Sequence, residues 1–247
     1  TEPTTLAASL THVDASCNGA NDGSINLTVA GGTTPYNYSW SNGATTQDIT
    51  ALAIGTYNVT IADGLGCSLT LGENITEPTA LSVSTTQANA SCNGMNNGSI
   101  DLTVSGGTLP YSYTWSNGAS TQDINALIAG IYSATVTDFQ GCSRNISVTI
   151  AEPATLTASA TRVNVSCNGG NNGNIDLTAA GGTTPYSYLW SNGAITQNID
   201  SLLAGTYNVT VTDAQNCSAT AGATVSEPTL LMISINIQRN VSCNGIN

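Results

Sequence analysis

The 247-residue chain carries 15 Asp and Glu against three basic side chains, Arg144, Arg162 and Arg239, with no lysine, for a net charge of −12. This excludes nucleic acid as a partner, since displacing counterions from phosphate needs Lys and Arg, and anionic membrane surfaces repel such a chain. Missing lysine also excludes Lys–Asn isopeptide cross-links.

Low charge can signal disorder, but 40% of the residues are hydrophobic, and they alternate with polar ones in strand fashion. The chain opens on Thr4 to Val13, read as a first strand. Ser24-Ile25-Asn26-Leu27-Thr28-Val29 puts Ile25, Leu27 and Val29 on one face. Gly31-Gly32-Thr33-Thr34-Pro35 ends that strand. Tyr36, Tyr38 and Trp40 line one face of the next, with Asn37 and Ser39 opposite. Ser41-Asn42-Gly43 is a tight-turn signal, because Asn-Gly tolerates positive φ. Thr45 to Leu52 reads as a short irregular strand and Tyr57 to Ile61 as a clean alternating one. Asp63-Gly64-Leu65-Gly66 turns the chain into Cys67-Ser68-Leu69-Thr70-Leu71. No stretch has helical periodicity, and no apolar run is long enough to span a bilayer.

The same words return every 75 residues. Ser16-Cys17-Asn18-Gly19 recurs at 91–94, 166–169 and 242–245; Tyr-x-Tyr-x-Trp-Ser-Asn-Gly occupies 36–43, 111–118 and 186–193. A fixed period marks an array of modules. Six or seven short strands per period fit a β-sandwich. The spacing predicts units at 1–75, 76–150 and 151–225 and the start of a fourth at 226–247. Glu77-Pro78, Glu152-Pro153 and Glu227-Pro228 fall where one unit hands over to the next. Proline stiffens such a joint, so the expected arrangement is a semi-rigid rod, here an interior piece of a longer secreted chain. Tyr57, Tyr132 and Tyr207, each just after a Gly-x pair, match a tyrosine corner.

Ser-Cys-Asn-Gly-x-Asn-Asp/Asn-Gly, Gly-Gly-Thr-x-Pro-Tyr, Trp-Ser-Asn-Gly and Gly-Thr-Tyr-x-Val-Thr-Val-Thr-Asp-x-x-Gly-Cys together resemble the SprB-repeat family, found in very large cell-surface adhesins of gliding Bacteroidetes. The resemblance covers essentially the whole chain. It implies tandem immunoglobulin-like modules, export by type IX secretion and display on the outer surface. Repeat 3 departs with Asn216 before Cys217, and repeat 2 with Ile131 in place of Thr.

The seven cysteines are Cys17, Cys67, Cys92, Cys142, Cys167, Cys217 and Cys243. Two per period argue for disulfides in an oxidising compartment. Three pairings are open. Cys17–Cys67 makes a self-contained module, although immunoglobulin topology sets those positions at opposite ends of a sandwich. Cys67–Cys92 needs residues 68–91 to fold as a hairpin about Pro78-Thr79. Cys17–Cys142 joins neighbouring units.

Trp40, Trp115 and Trp190, with the tyrosines before them, read as core aromatics, the alternative being a sugar-binding platform. Asp63, Asp138 and Asp213 recur in turns that Asx bonding explains; they are also weak calcium candidates, with Glu77 or Glu152 assisting at joints. Asn26, Asn58 and Asn208 head Asn-x-Thr triplets. Asp200-Ser201-Leu202 resembles the O-glycan acceptor of Bacteroidetes, with Ser201 as the site. Metal binding has little support, since His12 is the one histidine and no Cys-x-x-Cys occurs. No nucleophile–base pair or phosphate loop emerges, so the chain reads as a non-enzyme without cofactors. The expected function is a stalk or filament segment of a surface adhesin, linked to attachment or gliding. A self-associating fibre and a glycan-binding module are the alternatives. Neighbouring repeats, further copies and surface polysaccharide are the expected partners.

Overall fold

The computed structural model describes residues 4–238, which contain eighteen β-strands and no helix. Repeat 1 supplies β1 (Ala7–Val13), β2 (Gly23–Ala30), β3 (Asn37–Trp40), β4 (Ile49–Leu52), β5 (Gly55–Ala62) and β6 (Ser68–Ile75). Repeat 2 supplies β7 (Ser82–Ala88), β8 (Gly98–Ser105), β9 (Ser112–Trp115), β10 (Ile124–Leu127), β11 (Gly130–Thr137) and β12 (Ser143–Ile150). Repeat 3 supplies β13 (Thr157–Val163), β14 (Gly173–Ala180), β15 (Ser187–Trp190), β16 (Ile199–Leu202), β17 (Gly205–Thr212) and β18 (Ser218–Val225). In every repeat the first, second and fourth strands form one antiparallel sheet, and the third, fifth and sixth form the other. This is the A-B-E and C-F-G division of an immunoglobulin sandwich with the D strand left out.

Alternation places the core. In repeat 1, Ile25 and Leu27 on β2 face Val59 and Ile61 on β5, with Trp40, Ile49, Leu52 and Ile75 completing the buried cluster. The same positions recur 75 residues later, where Ala134 stands in place of Val59. The Asn42-Gly43 turn forms, with Gly43 at φ 88° and its N–H donating to Trp40 O at 3.0 Å. It does not close a hairpin. β3 pairs with β5 and β4 with β2, so this turn carries the chain from one sheet to the other.

The double glycine after β2 has a steric cause. A Cβ on Gly31, at φ +70°, would lie 2.0 Å from Thr5 O. Beside it, Gly32 N–H donates to Thr4 O at 2.8 Å. Thr4 is thereby spent on the turn, and the first strand starts at Ala7.

Compactness cuts the chain elsewhere than the sequence period does. Residues up to 90 group with 95–151, whereas 91–94 group with 152 onward. Hydrogen bonds and a disulfide, described next, tie 91–94 to that second unit.

Candidate functional site

Two disulfides form, Cys17–Cys142 and Cys92–Cys217, each spanning 125 residues with Cα atoms 5.8 Å apart. Of the three pairings, this is the one between neighbouring repeats. Strand register explains why the others do not form. Cys17 follows β1 at the end of the sandwich where Gly23 pairs with Leu52, and Cys67 closes the β5–β6 turn at the end where Ala62 pairs with Ser68. No hairpin forms over 68–91 either, because β6 pairs with β5 and β7 with β8. Among the described residues, Cys67 and Cys167 are exposed free thiols. Cys243 lies outside the described residues.

Beside each of the three described Cys-Asn-Gly loops sits a latch made by the Glu-Pro word. Glu77 takes Asn18 Nδ2–H on Oε1 at 2.7 Å and Gly19 N–H on Oε2 at 2.7 Å, and Asn18 also donates to Pro78 O at 3.3 Å. Glu152 holds Asn93 and Gly94 at 2.9 and 2.6 Å. Glu227 accepts from Gly169 N–H at 2.7 Å, while Asn168 Nδ2–H reaches Pro228 O at 3.1 Å. Thus the loop that presents the cysteine is held by a carboxylate 58–59 residues beyond the residues it bonds. The sequence reading treats these words as stiff joints and misses the cap; the matched period of the Glu-Pro and Cys-Asn-Gly words is the signal that reveals it. These amide bonds occupy the Glu77 and Glu152 oxygens considered above for calcium.

The second cysteine of each pair is presented by a buried aspartate. Asp63, Asp138 and Asp213 are each 5% exposed. Asp63 accepts from Thr33 N–H on one oxygen and from Leu65 and Cys67 N–H on the other, at 2.8–3.0 Å. Asp138 and Asp213 repeat the pattern. Backbone donors therefore fill these oxygens, which are the atoms calcium would need. Among the described residues no group of three or more His, Cys, Asp or Glu is arranged to hold a metal.

The amides set the ionisation. The Thr33 N–H is the largest influence holding the Asp63 carboxyl below the usual carboxylate range, against the pull of burial. At Asp213 burial raises the value, but the Thr183, Cys217 and Gln215 amides outweigh it. A depressed folded value means the carboxylate stabilises the fold above its unfolded pKa, about 3.9. That contribution disappears as pH falls through the lower folded value. The urea midpoint is therefore expected to stay level between about pH 7 and 5 and to drop below about pH 4. Urea titrations across that range check it, with Asp63→Asn and Asp213→Asn flattening the drop; a midpoint that climbs on acidification contradicts the assignment.

The aromatics are placed as follows. Trp40, Trp115 and Trp190 are 2–3% exposed, and each indole N–H donates to a carbonyl six residues on, Thr46, Thr121 or Thr196, at 2.9 Å. Tyr57, Tyr132 and Tyr207 pack half-buried against the cores, and their hydroxyls donate to Ala53, Ile128 and Leu203 O at 3.1 Å. That is a tyrosine-corner bond. Tyr38 reaches Gln47 Oε1 at 3.3 Å. Ser201 is exposed at φ 55°, with its hydroxyl 3.1 Å from Asp200 Oδ1. Asn26, Asn58 and Asn208 lie exposed on strands. Among the described residues no helix is long and apolar enough to cross a membrane.

The family model described as SprB repeat matches residues 9–45, 84–120 and 159–195. No curated protein is significantly similar to the chain. Solved structures with similar folds include one titled for Dscam isoform specificity, 14% identical over 85% of this chain and 70% of that one, TM-score 0.30. The N-terminal four Ig domains of Dscam1 isoform 9.44 are 14% identical, covering 91% and 73%, TM-score 0.29. The N-terminal eight Ig domains of Down Syndrome Cell Adhesion Molecule isoform 1.30.30 are 12% identical, covering 90% and 37%, TM-score 0.28.

Proposed function

Because the chain belongs to the SprB-repeat family, and so is a repeat-built segment of the extracellular adhesin type, we propose that it serves as a load-bearing stalk in which disulfides between repeats limit extension. The observation that carries this reading is that the two staples overlap. One spans 17–142 and the other 92–217. Pulled from its ends, the chain does not bear load along its whole length between Cys17 and Cys217. The shortest covalent route crosses the first bridge to Cys142, runs back to Cys92 and crosses the second. Only 50 of those 200 residues lie on it. At roughly 3.5 Å per extended residue, the reach between the two cysteines falls from about 700 Å to about 175 Å. A disulfide inside each repeat would shorten every module separately. Overlapping bridges also keep a repeat tethered to its neighbour after its sandwich opens.

Force spectroscopy tests this. Stretched by its termini, the oxidised chain is expected to stop extending about 500 Å short of the reduced chain. Equal contour lengths with and without reductant would remove the reading. Display on an outer surface, export by type IX secretion and a part in attachment or gliding extend the same proposal, supported by the family. Burial of the tryptophans favours this reading over the glycan platform, since the indoles that would stack on sugar rings are enclosed by the sandwich.

A further inference from the structure

We propose that Asn18 and Asn93 are modification sites gated by the latches described above: while Glu77 or Glu152 holds the loop the asparagine keeps its amide, and once the latch opens it loses ammonia and the latch cannot close again. Load-bearing plays no part in this chemistry, so the two readings fail separately.

The reaction uses the atoms that the latch occupies. In an Asn-Gly pair the glycine nitrogen attacks the asparagine Cγ, and the missing Cβ of glycine leaves that approach open. The N–Cγ bond forms, the Cγ–Nδ2 bond breaks, and the proton of the glycine N–H leaves with the amide group as ammonia. Water then opens the five-membered ring at either carbonyl, giving aspartate or isoaspartate. Glu77 accepts a hydrogen bond from each nitrogen involved, Gly19 N–H on Oε2 and Asn18 Nδ2–H on Oε1, both at 2.7 Å. Glu152 does the same for Gly94 and Asn93 at 2.6 and 2.9 Å. Hydrogen bonds to a carboxylate are the strong kind. The backbone adds to the hold. Ala20 N–H donates to Cys17 O at 3.0 Å and Gly19 stands at φ 75°, which makes residues 17–20 a type II turn with ψ of Asn18 near about +120°. Ring closure needs the Gly19 nitrogen to eclipse the Asn18 Cβ, a rotation of about 120° that breaks the turn and both Glu77 bonds. Asn18 and Gly19 are exposed, so water reaches them once the turn lets go.

Conversion is one-way because of how the latch uses asparagine. Asn18 serves as a donor, through Nδ2–H to Glu77 and to Pro78 O at 3.3 Å. The product carboxylate has no hydrogen to donate and sets a second negative charge against Glu77. Other Asn-Gly pairs show the contrast. Asn42 uses its oxygen, which accepts Ala44 N–H at 3.1 Å, a bond that aspartate also makes. Asn172 Oδ1 accepts Ser166 N–H at 3.0 Å, and repeat 1 already has Asp22 at that position, taking Ser16 N–H at 3.0 Å. The fold therefore accommodates the product at those positions and excludes it from the latch. Asn93 has one further bond, from Thr155 Oγ1–H to its Oδ1 at 2.8 Å, where repeat 1 has Ala80. Asn18 is accordingly the site that converts first.

The experiment incubates the oxidised full chain in mildly alkaline buffer and follows each Asn-Gly pair by peptic mapping and mass, with isoaspartate methyltransferase marking the rearranged product. Glu77→Gln and Glu77→Ala are compared with the parent chain. Asn18 is expected to convert at least about tenfold faster in both variants, since each hydrogen bond to a charged group shifts such an opening by about that factor or more. Asn93, held by Glu152, is expected to keep its rate. An Asn18 rate that is the same in parent and variants, or as fast in the folded parent as in urea, overturns the proposal. If a variant misfolds, Asn42 accelerates as well, and Asn18→Asp, which carries the product, then decides. In that variant hydrogen exchange at the Gly19 amide is expected to rise at least about tenfold, whereas the Gly43 amide in Asn42→Asp is expected to stay as protected as in the parent. A Gly19 amide that remains protected in Asn18→Asp means that the latch closes on the product, and the proposal fails.

Discussion

With both staples closed, trypsin is expected to leave the chain uncut at Arg144 and Arg162 through a long digestion, and reduction is expected to expose both. Arg144 lies on β12 and Arg162 on β13, inside paired strands. Arg144 also spends its Nε–H on Leu81 O at 3.1 Å. A protease needs an extended, unpaired segment, so cleavage measures how often those strands open. Each staple closes a loop across 125 residues, and a disulfide adds about 2–4 kcal/mol, with the chain-entropy estimate for such long loops at or above the top of that range. When opening is fast relative to cutting, that converts to cleavage roughly 30- to 1,000-fold faster after reduction. The paired variant Cys17→Ser/Cys142→Ser separates the effects: it should speed cutting at Arg144 more than at Arg162, since Cys92–Cys217 remains. Mass spectrometry of a time course reads both sites. Rapid cleavage of the oxidised chain would mean that the strands open freely despite the staples, and the load-bearing proposal would lose its support.

How much of this was legible depends on the range of the interaction. Strands such as Gly23–Ala30 and Gly55–Ala62 are written locally, because one face must be apolar and the other wet. The segment before β4 was harder. Thr45 to Asp48 reads as strand, but its bonds to β2 run through side chains: Gln47 Nε2–H donates to Leu27 O at 2.6 Å, and Asp48 Oδ1 accepts Leu27 N–H at 2.9 Å. Two side chains imitate a ladder there, and the regular strand begins at Ile49. The Asp63 turn could be read, since an Asx cap acts over a few residues. The Glu77 latch left only the matched period of two words as its trace, and the cysteine pairing could not be read, because in a periodic chain several long-range partners are arithmetically equivalent. The strand register makes the choice: it sets Cys17 and Cys67 at opposite ends of one sandwich, and it pairs β6 with β5 and β7 with β8, which leaves no hairpin over 68–91.

Replacing Trp115 by Ala is expected to cost repeat 2 about 3–5 kcal/mol, a large share of what a module of this size holds. The indole is 2% exposed among Ile100, Leu102, Leu127, Val136 and Ile150. Its removal opens a cavity that β9, only four residues long, has little length to collapse into, and it leaves Thr121 O without the indole N–H donor held at 2.9 Å. The cross-strand neighbour aggravates the loss. Trp115 pairs with Ala134, whereas Trp40 and Trp190 pair with Val59 and Val209, so repeat 2 has the smaller side chain beside the gap. Trp115→Phe keeps most of the ring and loses the hydrogen bond, and should cost roughly half as much. Hydrogen exchange on β11 amides reads repeat 2 directly. In the same variant Trp40 and Trp190 become the only indoles, so fluorescence against urea reports repeats 1 and 3, whose midpoints should hold within about 0.5 kcal/mol if distant sites add independently. Unchanged protection on β11 would mean that the indole is not a core residue, and the sugar-platform alternative would regain the ground that burial takes from it.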